Sequence, residues 1–379
     1  MTELTQAKNP DRTSDGRAER VETVIVGAGQ AGLSVGYHLA RRNRPFTILD
    51  ANQRVGDNWR RHWDSLRLYS PARLDGLPGM SFPAPKWSFP TKDETGAYLE
   101  QYAARFELPI RTSTRVERIA RNGRGYVLDC GDQRIEADNV VVATGTFGPP
   151  YTPGFAAELD PRIVQLHSSE YKNPSQLQKG AVLVVGASHS GADVAIDVAG
   201  KHETILCGRD TGQIPFDIEG RPARIVFWRV LSFLARRFLT TRNPLGRKMR
   251  SEIRSHGGPL LRYKGPHLAA AGVERVPERV AEVRDGLPVL EDGRVLDVDN
   301  VIWCTGFHQD FSWIDVPVMR DDGWPQESRG VVPSAPGLYF AGLAFQFSFS
   351  SMLLLGAGRD GEHVAKQIDR AARTSKTRG

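Results

Sequence analysis

Two stretches of this 379-residue chain carry the residue types and spacing needed to hold a phosphate against backbone. In the first, residues 23–50, Gly27, Gly29 and Gly32 form a G-x-G-x-x-G pattern directly after the β-branched run Val24-Ile25-Val26. Gly27 permits a tight turn, Gly29 lets backbone N–H groups approach a pyrophosphate, and Gly32 lets a helix pack closely on a strand. That helix, opening with Gln30 and Ala31, points its N-terminus at the phosphate charge. Asp50 follows the next apolar run, where a carboxylate accepts both hydroxyls of an unphosphorylated ribose, as in FAD or NAD. The second stretch repeats the device with Gly186, Ser188 and Gly191 after a run of apolar residues, and His189 and Ser190 open its helix. Here Cys207 stands where the acid would be, and Arg209 lies two residues beyond. A guanidinium at that place pairs with a 2′-phosphate, so the second site is expected to prefer NADPH.

These residues must be positioned by two strand–turn–helix–strand units. The expected fold is α/β, with two related Rossmann-like, three-layer dinucleotide-binding domains. A second repeat supports the duplication: residues 138–145, ending in Thr144-Gly145, recur as residues 299–306, ending in Thr305-Gly306. Residues 21–150 plus 310–370 are expected to form a discontinuous FAD-binding domain. Residues 151–309 are expected to form an NADP-binding domain, with an irregular, helical insertion at about 213–275. Residues 1–20, polar and without an apolar core, read as a disordered leader rather than a signal peptide, and residues 371–379 as a disordered tail.

Between these units the long segment 55–83 is too rich in Pro, Gly and aromatic residues for a regular helix, and reads as an ordered functional loop. Its Trp59, His62, Trp63 and Arg67 offer ring faces and a cation to a flavin and its substrate. Residues 95–105 read as a helix with Tyr98, Leu99 and Tyr102 on one face. Residues 116–135, starting at Val116, alternate like antiparallel strands turning at Asn122-Gly123. Residues 223–240 read as an apolar helix bearing Arg224, Arg229, Arg236 and Arg237. It is expected to cover a cleft, or to make weak contact with a membrane surface. Near the end, residues 338–341 form a strand before Gly342, Ser350 and Ser351 suit a helix cap, and Gln346 is placed to hydrogen-bond the edge of a flavin ring.

Composition narrows the function classes. Charged residues make up 25% and the net charge is +6, with Lys and Arg scattered and no nucleic-acid-reading motif beside them. No apolar run is long enough to span a bilayer, and a cytoplasmic protein is expected. Cys130, Cys207 and Cys304 form neither a C-x-x-C pair nor a ligand cluster, so neither dithiol chemistry nor a metal is expected.

Taken together, GAGQAG at Gly27, GDNW at Gly56, SLRL, LPGMSFP and FPTK within residues 65–92, ATG at Ala143, GASHSG at Gly186, CTGF at Cys304 and the C-terminal GAGRDGEHVA cover nearly the whole chain. This set resembles the flavin-dependent monooxygenase family of class B type, near the YUCCA-type indole-pyruvate monooxygenases and their bacterial relatives. Of that family's inter-domain signature, F-x-G-x-x-x-H-x-x-x-Y/F, His167 and Tyr171 match and are the candidate catalytic residues, whereas Pro161 and Ile163 replace the phenylalanine and glycine. Tyr171 stands where Baeyer-Villiger enzymes carry tryptophan, which favours heteroatom or oxo-acid oxygenation. The resemblance implies that NADPH reduces FAD, that O₂ adds to give a C4a-(hydro)peroxyflavin, and that one oxygen passes to a small organic substrate. The first site would then comprise Gly27, Gly29, Gln30, Ala31, Gly32, Asp50, Trp59, Arg67, Val116, Thr144, Gly145, Gly342 and Gln346. The second would comprise Gly186, Ser188, His189, Ser190, Gly191, Arg209, Thr305 and Gly306. An NADPH oxidase or reductase without oxygen insertion, or a non-catalytic flavoprotein sensor, would use the same cofactor sites.

Overall fold

The computed structural model describes residues 19–237, 239–255 and 257–376. The leader expected over residues 1–18, the tail residues 377–379 and the side chains of Arg229, Arg236 and Arg237 lie outside the described residues.

The first unit runs β1 (Glu19–Val26), α1 (Gln30–Ala40), β2 (Thr47–Leu49), the short α2 (Asp57–Arg60), α3 (Lys92–Arg105) and β3 (Ile110–Arg111). The hairpin β4 (Arg118–Asn122) and β5 (Gly125–Cys130) then leads into β6 (Gln133–Val142). The second runs β7 (Val164–His167), β8 (Val182–Val185), α4 (His189–Ala199) and β9 (Thr204–Cys207). After the insertion helices α5 (Trp228–Arg237) and α6 (Pro244–Ser255) come α7 (Gly265–Ala270), β10 (Val273–Val276), the pair β11 (Val280–Arg284) and β12 (Leu287–Leu290), and β13 (Asn300–Trp303). The chain returns to the first unit through β14 (Ile314–Asp315), β15 (Leu338–Phe340) and α8 (Leu354–Lys376).

The first sheet has the order β14-β4-β5-β6-β1-β2-β3, with β15 also on β6. Strand β6 serves two roles along one edge. Residues 133–137 pair antiparallel with β5, and residues 140–142 pair parallel with β15. The second sheet, β10-β9-β8-β13-β7, is wholly parallel. Its strands are covered on both faces, which is why β8 and β9 are buried at every position. The parallel part of the first sheet and the second sheet share one order, with β15 beside β6 matching β7 beside β13. The outer strand of the first unit comes last in the chain, whereas that of the second comes first. α3 begins with a capping box, Thr91 Oγ1 accepting from Glu94 N at 3.2 Å and Glu94 Oε2 accepting from Thr91 N at 2.8 Å, and it buries Tyr98, Leu99 and Tyr102.

Several expectations are corrected. Glu19 and Arg20 belong to β1 rather than to a leader, and residues 371–376 continue α8 rather than forming a tail. The insertion stops short of residue 275, because β10 is an edge strand of the second sheet. The helix expected over residues 223–240 is a π-turn, Ala223–Phe227, running into α5, and it ends at Arg237. Thr240 is instead buried and bridges to Ser348, because Thr241 N donates to the Phe347 carbonyl at 2.8 Å. Ser350 and Ser351 do not cap α8. They lie inside a 3₁₀ turn, Phe349–Met352, whose cap is Ser348, and α8 starts only at Leu354.

The glycine turns separate two kinds of constraint. A Cβ on Gly32 would stand 1.9 Å from the Gly27 carbonyl oxygen, whereas one on Gly29 would meet only Asn58 Nδ2, at 3.8 Å. Gly32→Ala is therefore expected to push α1 off β1 and lower stability by about 1–3 kcal/mol. Gly29→Ala should keep the melting temperature and lose affinity for a nucleotide at this turn. Calorimetry and cofactor titration of the two variants check the contrast, and equal melting temperatures would contradict it.

Candidate functional site

The first cradle is built where β1, β2 and β6 end together. Gly27, at φ +108°, donates to the Leu49 carbonyl at 2.7 Å, and a Cβ there would sit 2.7 Å from the Ala143 oxygen. Gly29 caps α1 in extended backbone with no side-chain acceptor, so the helix's first N–H groups keep room for an anion. The buried Asp50 carboxylate accepts from Ala28 N at 2.6 Å and Asn52 N at 2.8 Å. Those amides fix its aim while leaving lone pairs for ribose hydroxyls. Gly145, at φ +85°, faces open space, Thr144 is exposed, and Val116 is half-buried against the core that holds β6. A Cβ on Gly342 would lie 2.7 Å from that of Ala31, so the turn after β15 closes over the start of α1, and Gln30 Nε2 donates to the Met352 carbonyl at 3.2 Å.

Two tryptophans in the loop after β2 report a missing partner. The indole N–H groups of Trp59 and Trp63 are buried without an acceptor, and such groups ordinarily find one. Together with the open backbone at Gly29 and Gly145, they fit a bound flavin nucleotide. Arg67 is half-exposed, with Nε donating to the Phe89 carbonyl at 3.2 Å and its guanidinium 3.5 Å from Glu219 of the insertion. Gln346 is placed differently from the expectation. Its amide donates to the Phe340 carbonyl at 2.6 Å and accepts from Leu343 N, so it shapes the turn after β15.

The second cradle repeats the geometry. Gly186 has φ +109°, a Cβ on Gly191 would lie 1.8 Å from the Gly186 oxygen, and Ser188 heads α4 without capping it. Ser188 Oγ donates to the Gly258 carbonyl at 2.8 Å, so the insertion rests directly on this turn. His189 is half-buried, and its burial lowers its pKa to about 4, leaving a neutral ring. Arg209 is exposed just past β9 and has no hydrogen-bond or ion-pair partner among the described residues. Gly306, at φ +89°, faces open space, while Thr305 donates to the Tyr151 carbonyl. An uncapped helix start, an open turn and a free guanidinium fit a phosphorylated pyridine nucleotide.

Between the cradles, the two residues expected to be catalytic act as ties. His167, at the end of β7, contacts the Gly306 carbonyl through Nε2 at 3.0 Å, and its Nδ1 lies 2.8 Å from Ser169 Oγ. Burial lowers its pKa, so it is a neutral ring holding the turn of Gly306. Tyr171 is buried and donates to Asp197 of α4 at 2.7 Å, which raises its pKa beyond any titration of use. Sequence reasoning missed a third tie. Tyr69 of the first unit donates to Asp193 of α4 at 2.8 Å, while Arg262 of the insertion stacks 5.2 Å from the Tyr69 ring and donates to the Leu68 carbonyl at 2.6 Å. Its only sequence signal was an acid on the apolar face of α4. Beside it, Phe89, Ile218, Ala223 and Trp228 are buried among Tyr69, Trp87, Phe216 and Phe227, an aromatic cover joining the loop to the insertion. The thiols of Cys130, Cys207 and Cys304 are free, and burial pushes them up to about 11, 12 and 12, so none is a ready thiolate. Among the described residues no group of three or more His, Cys, Asp or Glu could hold a metal, and no helix is long and apolar enough to cross a membrane.

Asp75 of the same loop was also missed. It is buried, one oxygen accepts from Ser70 Oγ at 2.6 Å, the other has no partner, and burial raises its pKa to about 8. The unfolded chain releases this proton near pH ~3.9, so the stability held by the neutral acid is complete below that pH and lost as pH rises to about 8. Asp75→Asn keeps the shape and removes the titration. Its melting temperature should gain on the wild type between pH 5 and pH 8, by roughly 2–4 °C per kcal/mol recovered. Parallel pH profiles would show that Asp75 does not titrate in this range.

Comparison with known proteins agrees with this geometry. Residues 24–216 match the family model described as pyridine nucleotide-disulphide oxidoreductase, and residues 127–323 match the flavin-binding monooxygenase-like model. An uncharacterized CzcO-like oxidoreductase of Geobacillus kaustophilus is 38% identical over 92% of this chain and 98% of its own. The probable indole-3-pyruvate monooxygenase YUCCA3 of Arabidopsis thaliana is 29% identical over 91% and 86%. The solved flavin-containing monooxygenase from Stenotrophomonas maltophilia superposes with a TM-score of 0.75 at 27% identity, covering 93% of this chain and 99% of that one. With the family model matching over half of its length, this chain belongs to the flavin-binding monooxygenase-like family, as an oxidoreductase whose cofactors are FAD and NADPH.

Proposed function

We propose that the protein uses NADPH and O₂ to oxygenate a small organic substrate, with FAD in the first cradle and NADPH in the second. The observation that carries the reading is the opposite charge at the two ribose ends: a carboxylate, Asp50, anchored to the first glycine turn, and a guanidinium, Arg209, left free beside the second. Bound FAD supplies the electron storage and oxygen activation that protein side chains lack. The chain's own part is to bind, aim and dry. The N–H groups at the start of α1 and α4 hold pyrophosphates, and the indole N–H groups of Trp59 and Trp63 offer donors toward the flavin. His167 keeps the Gly306 turn in place without moving a proton. The aromatic cover around Phe89 and Trp228 keeps water from the junction of the units. The insertion exposes Ile225, Val226, Val230 and Leu245 as well as Arg221, Arg247 and Lys248, a composition that suits weak contact with an anionic membrane surface.

Purified holoprotein should oxidise NADPH in a substrate-dependent way, with one product oxygen derived from O₂. Peroxide as the sole product across a broad substrate panel would instead favour an oxidase. Arg209→Ala should weaken NADPH by about 1.5–3 kcal/mol with little effect on NADH. Steady-state KM values for both nucleotides check this, and an unchanged preference would remove Arg209 from the site. Asp50→Ala should lower FAD occupancy, read from the flavin absorbance of the purified protein.

A further inference from the structure

Outside both cradles, three arginines from three distant segments converge on one ring. Arg242, between α5 and α6, Arg329, in the turn before β15, and Arg359, on α8, place their guanidinium carbons 5.4, 4.0 and 4.8 Å from the centroid of Phe347. Among the described residues only Arg359 of the three has a carboxylate, Asp360, at 2.8 and 3.0 Å. Among the described residues Arg242 and Arg329 have no ion pair, and Arg329 Nε is buried without an acceptor. Three positive charges thus meet one negative charge, and a phenylalanine face compensates a guanidinium only weakly.

The fold treats nearby arginines differently. Arg250 and Arg254 of α6 share the buried Glu327, at 2.8 and 3.8 Å, so a counter-charge is provided where arginines are packed away. At Phe347 none is provided for two of the three. Burial and the two neighbouring guanidiniums lower the pKa of Arg329 against the opposing pull of Asp360. His363 beside them is held neutral, lowered to about 4 by burial and then by Arg329, and it keeps one ring N–H as a donor. Arg242 is exposed and Arg329 and Arg359 are half-buried, so the ring of charges is open to solvent.

We propose that Arg242, Arg329 and Arg359 around Phe347 form a binding site for a doubly charged oxyanion, such as a phosphoryl group or a compact dicarboxylate. Such an anion would balance the two excess charges and join the insertion, through Arg242, to the turn of Arg329 and to α8. None of Arg242, Arg329 and Arg359 belongs to either glycine turn or its ribose end, so the anion is expected to be a further small molecule rather than FAD or NADPH.

The test uses protein saturated with FAD and NADP⁺, which occupies both cradles, titrated calorimetrically with inorganic phosphate and, separately, with succinate at constant ionic strength in chloride. Saturable binding by at least one of these is expected, with at least a tenfold loss in Arg242→Gln and in Arg329→Gln and retention in Arg242→Lys. Arg242 is exposed, so its variants should fold, and circular dichroism confirms that. A rise in melting temperature with phosphate, absent from Arg242→Gln, gives a second readout. No saturable binding of either anion, binding unchanged in Arg242→Gln, or binding only to vesicles of anionic lipid would overturn the proposal.

Discussion

Both nucleotide cradles depend on one close approach, in which a helix rests on the carbonyl of the turn that starts it. At Gly32 and Gly191 a Cβ would stand 1.9 and 1.8 Å from the oxygen of Gly27 and Gly186, far inside van der Waals contact. Only glycine allows the helix to sit so near the strand, and only that nearness brings its first N–H groups to the end of the sheet. The same turns need positive φ at Gly27 and Gly186, where any Cβ would strike Ala143 or Cys304. The neighbouring glycines are freer: the open face at Gly29 is room for a ligand rather than for packing.

Duplication of this device gives two cradles, and small departures between the copies give their far ends opposite charge. Asp50 is fastened by two backbone amides, so its carboxylate is aimed before any ligand arrives. Arg209 has no such fastening and stays in solvent, where a guanidinium costs little to keep charged and is free to meet a phosphate. The outer strand of each sheet is supplied from elsewhere in the chain, β15 after the second unit and β7 before it. That exchange threads the units through each other, and His167 at the tip of β7 is bonded to the turn of Gly306 as a result.

The insertion joins the units from above. Arg262 reaches the backbone of Leu68, Ser188 reaches that of Gly258, and Trp228 buries its ring against Phe89 with its N–H on the Ile218 carbonyl. A polar tie of Tyr69, Asp193 and Arg262 runs through this junction, largely hidden from water. Burial raises the pKa of Asp193 to about 6, with Arg262 and the Tyr69 hydroxyl opposing that shift. Removing any one member would strand the others in a medium that penalises unpaired charge.

The sequence by itself determined the elements whose code is local. Glycine spacing marked both turns, apolar runs marked β1 and β8, the repeat of residues 138–145 marked β13, and the contrast of Asp50 with Arg209 was readable as chemistry because each follows a strand at a known offset. The tertiary structure alone decided what distant side chains do. Gln346 looked free for a ring edge but is taken by its own turn, Ser350 looked like a cap but lies inside a 3₁₀ turn, and Thr240 lies outside the helix because it is drawn to Ser348. Tyr69 and Asp193 are 124 positions apart, and the three arginines on Phe347 come from separate segments. Periodicity records which way a residue faces within its own element. Which partner it meets there depends on how the elements pack, so those contacts became visible only once the sheets and the insertion were in place.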